Sequence, residues 1–160
     1  DNLRAEPQRN GHVLLMRTLS KFGLAGVRLG YLLGPQALVA EIDKVRPPYN
    51  VSVLNSEAAL FALEHADVFA AQAQELCAQR TALVAALQAM EQVEKVWPSE
   101  ANMVLLRVPD AARTQAAMKA RGVLVKNVSA LHPLLANCLR LTVGSAEENT
   151  QMLAVLQESL

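Results

Sequence analysis

After Arg17 and Thr18, three polar side chains, Ser20, Lys21 and Arg28, interrupt the otherwise apolar run RTLSKFGLAGVRLGYLLG at residues 17–34. A cation within such a run must be solvated or paired to be tolerated. One reading is a solvated turn between two strands, the usual place for a lysine that ends a strand before a glycine. The other is an anion site with amine chemistry beside it. A hydroxyl and a guanidinium are what a phosphate needs, because arginine grips phosphate through a two-pronged fork. An amine next to a phosphate site points to a Schiff base with a phosphorylated aldehyde, namely pyridoxal phosphate. Two further cations stand in strand-like segments. Arg140 lies between Leu139 and Leu141 in NCLRLTVG, so it faces the opposite side of a strand from both. By pattern alone it belongs to an exposed sheet face or a cross-strand pair. Lys126, in GVLVKNV, reads by pattern as an exposed cation.

The elements that must position these groups follow from periodicity. HVLLMRTLS is a strand expected to end at Ser20 and Lys21, FGLAG a glycine-containing turn, and VRLGYLLG a second strand closing at Gly34 and Pro35. PQALVAEIDKV has helical spacing with proline at its start, and NVSVLNSEAALFALEH resumes that spacing after Pro47 and Pro48. A longer helix covers roughly 67–90, with an apolar stripe at 69, 73, 76, 83, 87 and 90. VEKVWPSEANMVLLRVP holds two short strands around Pro98. DAARTQAAMKARG is a helix capped by Asp110 and stopped by Gly122. VLVKNV and NCLRLTVG alternate as strands. SAEENTQMLAVLQESL closes the chain as a helix with the capping-box spacing of Ser145 and Glu148. Residues 1–11 read as a loop. The seam between an α/β beginning and a mixed α+β remainder falls near residues 64–67. The first part holds too little chain to cover two adjacent strands on both faces, so further upstream chain is expected.

At 160 residues, 52% of them apolar and 19% charged, the composition is that of a globular chain. Fifteen basic residues balance fifteen acidic ones, leaving no electrostatic footprint for nucleic acid or an anionic membrane. Cys77 and Cys138 stand far apart in apolar contexts and read as buried thiols of a reduced, cytoplasmic protein. The scattered His12, His65 and His132 predict no zinc site. The cations at 17, 21 and 28 break the longest apolar stretch, which argues against a signal peptide or a membrane span.

The run TLSKFGLAGVRLGY resembles the Schiff-base motif of fold type I aminotransferases, most closely that of the histidinol-phosphate aminotransferase group. RPPYNVSVLNSEAALFAL, PSEANMVLLRV and NCLRLTVGSAEEN are similar to further segments of the same group. The resemblance covers essentially the whole chain and corresponds to the C-terminal half of a typical member. It implies an α/β fold in which residues 1–64 are the C-terminal remnant of the large cofactor-binding domain and 65–160 the small α+β domain. By the same resemblance Lys21 bonds pyridoxal 5'-phosphate and moves the proton at the substrate α-carbon, while Ser20 and Arg28 hold the cofactor phosphate. Arg140 is implied as the clamp on the substrate α-carboxylate, aligning the α-C–H bond with the cofactor ring.

Lys126 departs from the group, many of whose members carry an arginine there for the substrate phosphate; a lysine supplies the charge without the fork. Asn102 and Tyr49 fall inside matching segments, near the carboxylate clamp and at a subunit boundary respectively. The implied reaction passes the amino group of glutamate reversibly to imidazole-acetol phosphate, in a homodimer whose active sites are each completed by the neighbouring chain. Members also need a carboxylate for the pyridinium nitrogen, a ring stacked on the cofactor and a tyrosine at its phenolic oxygen, all normally upstream of the lysine. Asp1-Asn2-Leu3 does not match the DEAY-like segment that carries the first of them, so the chain alone is expected to be an inefficient catalyst. Threonine-phosphate decarboxylases and aromatic aminotransferases share the pattern at 21, 28 and 140. A non-catalytic folding or dimerisation module is the reading from another class.

Overall fold

A computed structural model describes residues 11–160; the loop expected over residues 1–11 lies almost wholly outside them. The chain forms two compact units, Asp1–Ala71 and Gln72–Leu160.

In the first unit, β1 (Leu15–Thr18) pairs antiparallel with β2 (Gly30–Leu33), from Leu15 opposite Leu33 to Thr18 opposite Gly30. The first strand stops two residues before the expected end. Thr18 Oγ1 accepts the backbone N–H of Ser20, and Leu19–Phe22 winds into one 3-10 turn. A side chain that takes over a backbone donor in this way competes with the sheet ladder. Gly23 ends the turn at φ 88°, and its N–H bonds the Leu19 carbonyl. A second 3-10 turn, Ala25–Val27, leads back to β2. Gly30 is needed there, because a Cβ would stand 2.7 Å from the Arg17 carbonyl oxygen.

Helix α1 (Gln36–Asp43) begins directly after Pro35 and ends before Pro47 and Pro48. Ser52 caps α2 (Val53–Glu64), its hydroxyl accepting the Asn55 N–H at 3.2 Å. Only Ala59 and Ala62 of α2 are buried, while Leu54 and Phe61 are largely exposed. The long α3 (Ala66–Gln88) carries the chain from the first unit into the second.

The second unit is built on a four-stranded antiparallel sheet of β3 (Lys95–Val96), β4 (Met103–Arg107), β5 (Lys126–Asn127) and β6 (Cys138–Thr142), in the order β3-β4-β6-β5. Alternation sends Val104, Leu106, Leu139 and Leu141 to one face, where they are fully buried. They pack with Leu83 and Leu87 of α3, Met118 of α4 (Ala111–Ala120), and Met152 and Leu156 of α5 (Ala146–Ser159). Both helices start as their sequences predict. Asp110 accepts the Arg113 N–H, and Ser145 and Glu148 form a reciprocal capping box. The strand expected over VLVKNV shrinks to two residues, because Gln115 Nε2 takes the Val125 carbonyl at 2.8 Å. Leu106 has no exposed surface, so Leu106→Ala is expected to cost about 2–5 kcal/mol in urea unfolding of the second unit.

One burial expectation is corrected. Cys138 is buried on β6, but Cys77 is exposed. The buried residues of α3 are Leu83 and Leu87, with Val84 packed beside them, so the positions about two turns earlier stay on the surface.

Candidate active site

The Ser20–Lys21 pair sits in the 3-10 turn between β1 and β2, and three features hold that turn. Thr18 caps it from before, Gly23 closes it from behind, and Phe22 stacks on Phe69 with ring centroids 5.0 Å apart. Beyond the turn, the Leu19 N–H bonds the Leu29 carbonyl at 3.0 Å and draws the two ends of the loop together. That closure brings Ser20 close to Arg28.

Thr18, Ser20 and Arg28 line one cavity of about 570 Å³, with Arg17 and Arg46 at its margin. Thr18 Oγ1 lies 2.9 Å from Ser20 Oγ, so the two hydroxyls are already aligned. Arg28 takes a left-handed backbone, φ 55°, and its Nη1 donates to the Ala25 carbonyl at 3.3 Å. A non-glycine residue in that region costs on the order of 1–3 kcal/mol, and such strain concentrates where a side chain must be aimed. Hydroxyls and guanidiniums without a carboxylate among the lining residues suit a phosphate dianion. Lys21 follows Ser20 directly; it is exposed and does not line this cavity.

In the second unit the register places Lys126 directly opposite Arg140, and Arg140 opposite Leu105. Trp97 continues the same row, its N–H bonding the Leu105 carbonyl at 3.0 Å. Trp97, Leu105, Arg140 and Lys126 therefore run across one face of the sheet, the face turned away from the core. Arg140 and five largely apolar neighbours, Trp97, Met103, Leu105, Val128 and Leu135, border a cavity of about 380 Å³. The Arg140 Nε is buried and has no hydrogen-bond partner among the described residues. A buried donor left in that state costs about 1–3 kcal/mol, and two like charges set directly opposite one another add to the cost. An anion on this face would offset the like charges. Lys126 itself is exposed and is not a cavity-lining residue. Asn102 accepts the Val143 N–H through its carbonyl at 3.0 Å, at the mouth of β4.

Trp97, Lys95 and Arg107 were not expected at the site. The Lys95 ammonium lies 4.9 Å and the Arg107 guanidinium carbon 5.4 Å from the indole centroid. Arg107 also donates to the Ala136 and Leu134 carbonyls, at 3.1 and 2.9 Å. Each cation–π contact of this kind contributes about 0.5–1 kcal/mol at an exposed site. The alternation of KVW in the sequence puts Lys95 and Trp97 on one face, but the strand that pairs with them is not visible there.

A hairpin presenting hydroxyls and a guanidinium, followed by an antiparallel α+β unit with an arginine on its open face, is the architecture of the C-terminal portion of fold type I pyridoxal-phosphate enzymes. The solved histidinol-phosphate aminotransferase from Clostridium acetobutylicum superposes with a TM-score of 0.86 over 97% of this chain and 48% of its own, at 18% identity. L-threonine-O-3-phosphate decarboxylase from Porphyromonas gingivalis gives 0.83 over 96% of this chain and 48% of its own, at 23% identity. The sequence profile of the family described as aminotransferase class I and II matches residues 1–156, and the chain belongs to that family, whose members depend on pyridoxal phosphate. A histidinol-phosphate aminotransferase of Acidovorax sp. (strain JS42) is 76% identical over all 160 residues, which make up 44% of that relative. The chain thus spans less than half the length of the relative it matches.

Proposed function

We propose that this chain is the C-terminal part of a pyridoxal-phosphate-dependent aminotransferase that exchanges an amino group between histidinol phosphate and 2-oxoglutarate, giving imidazole-acetol phosphate and glutamate. Residues 1–64 then belong to the large cofactor-binding domain and 65–160 to the small domain. The observation that carries the reading is the convergence of Ser20 and Arg28 on one cavity immediately beside Lys21. Pyridoxal phosphate, when bound, supplies an aldehyde and an electron-withdrawing ring. Ser20 and Arg28 grip its phosphate, Thr18 holding the Ser20 hydroxyl in line. Lys21 would hold the aldehyde through its amine, and that amine would carry the proton at the substrate α-carbon. Arg140 grips the α-carboxylate of glutamate in its fork and orients the α-C–H bond. Lys126, opposite Arg140 on the same face, supplies charge to the substrate phosphate.

The enzyme is cytoplasmic and homodimeric on this reading. Among the described residues no helix is long and apolar enough to cross a membrane, and Tyr49, Leu54 and Phe61 are exposed apolar side chains that a second copy would cover.

Adding pyridoxal phosphate to the folded chain tests the reading. A visible absorption band is expected, erased by borohydride with the label retained at Lys21. A folded chain that stays colourless overturns it in favour of a non-catalytic folding or dimerisation module. The likeness to a threonine-phosphate decarboxylase keeps that chemistry, and with it aromatic transamination, as a second reading. Substrate comparison in the full-length enzyme, with Lys126→Arg beside the natural residue, separates the three.

A further inference from the structure

Two cations gather around a single indole, that of Trp97, on the open face of the sheet. Lys95 and Arg107 pair across β3 and β4, and both approach the Trp97 ring within 5.4 Å of its centroid. They form the next row of the sheet on the same face, on one side of Trp97. The cavity opens on the other side, since its lining includes Trp97, Ser99 and Met103 but neither Lys95 nor Arg107. Arg107 does a second thing. Its bonds to the Leu134 and Ala136 carbonyls fix the segment whose Leu135 borders the same cavity. One guanidinium therefore holds two walls of the pocket that Arg140 lines.

We propose that Trp97 is a specificity-determining residue of this pocket, with Arg107 as its positioning residue. The ligand class it selects is an anion that carries a flat unsaturated ring, in preference to an anion of the same charge with an aliphatic body. The anion meets Arg140 together with Lys126, which stands opposite it, and the ring lies against the indole by offset or edge contact. The cations behind the indole keep it from folding into the cavity. The inference rests on the proposed function only in taking the Arg140 pocket as the substrate's, so it is tested by binding rather than by turnover.

Trp97 is the single tryptophan of the chain, and its emission reports the pocket directly. Histidinol phosphate is titrated against phosphoethanolamine, which has the amine and the phosphate but no ring. Saturable quenching by histidinol phosphate is expected, with affinity about three- to tenfold above that for phosphoethanolamine. By calorimetry, Trp97→Leu should erase the difference, Trp97→Phe should restore most of it, and Arg107→Met should weaken it. Arg140→Met should lower the affinity for both compounds alike. Equal affinities in the natural chain, no binding of either compound, or a preference that survives Trp97→Leu overturns the role of Trp97. If the preference is present while borohydride leaves no label at Lys21, the reaction is refuted and the ring-selecting wall stands.

Discussion

Lys21→Ala is expected to lower turnover of the full-length enzyme by about 10²–10⁴-fold, the contribution of a positioned proton carrier, and to abolish borohydride labelling altogether. The turn should survive the change. Its geometry comes from the Thr18 cap, the left-handed Gly23 and the Phe22–Phe69 stack, none of which belongs to the Lys21 side chain. Uptake of pyridoxal phosphate should persist in weakened, non-covalent form, because Ser20 and Arg28 remain on the cavity. Equilibrium dialysis beside the rate measurement separates loss of the amine from loss of the site. Partial recovery of the rate by a small added amine is the further signature of a missing proton carrier, since a merely disordered turn would not respond to it. Full activity in Lys21→Ala would refute the assignment.

Arg140→Lys should raise KM for glutamate and lower kcat together, reducing kcat/KM by about ten- to a hundredfold, as expected from losing one charge-assisted bond of about 1.5–3 kcal/mol. Lysine keeps the charge but not the fork, and it removes the buried Nε that has no partner among the described residues. Stability should not fall in step with activity. The neighbouring Leu139 and Leu141 fill the core on the opposite face, and removing an unsatisfied buried donor relieves a cost. A urea midpoint unchanged or slightly raised, with kcat/KM reduced, is the expected combination. Lys126→Ala gives the contrast: KM for histidinol phosphate should rise while that for glutamate stays put. An Arg140→Lys enzyme with natural kinetics would show that the side chain serves the sheet and not the substrate.

Local signals in the sequence carried far because the elements they mark are stabilised locally. The caps at Asp110 and Ser145 and the alternation around Arg140 depend on neighbours within a few residues, and the structure follows them. The motif around Lys21 was legible by its density of matching residues, and the family match agrees with it. What escaped depends on contacts distant in sequence. That Lys95 faces Arg107, and that Arg107 reaches the carbonyls of Leu134 and Ala136, follows from strand register and a loop path. Cys77 was misjudged for a related reason: helical periodicity predicts a stripe, but only packing decides how much of the stripe meets a core. The early end of β1 turned on one hydroxyl, Thr18 Oγ1, whose bond to Ser20 outcompetes the strand.

The loop that joins β1 to β2 has a consequence in time. Ser20 and Arg28 are tied by the bond from Leu19 to Leu29, a link spanning few residues, and hairpins on that scale close in about 1–10 μs. Apart from the Phe22–Phe69 stack, the bonds that shape this loop lie within residues 18–29, so most of its geometry should arise early during synthesis. Hydrogen exchange pulsed during refolding would see the Leu19 amide protected before those of β4 and β6.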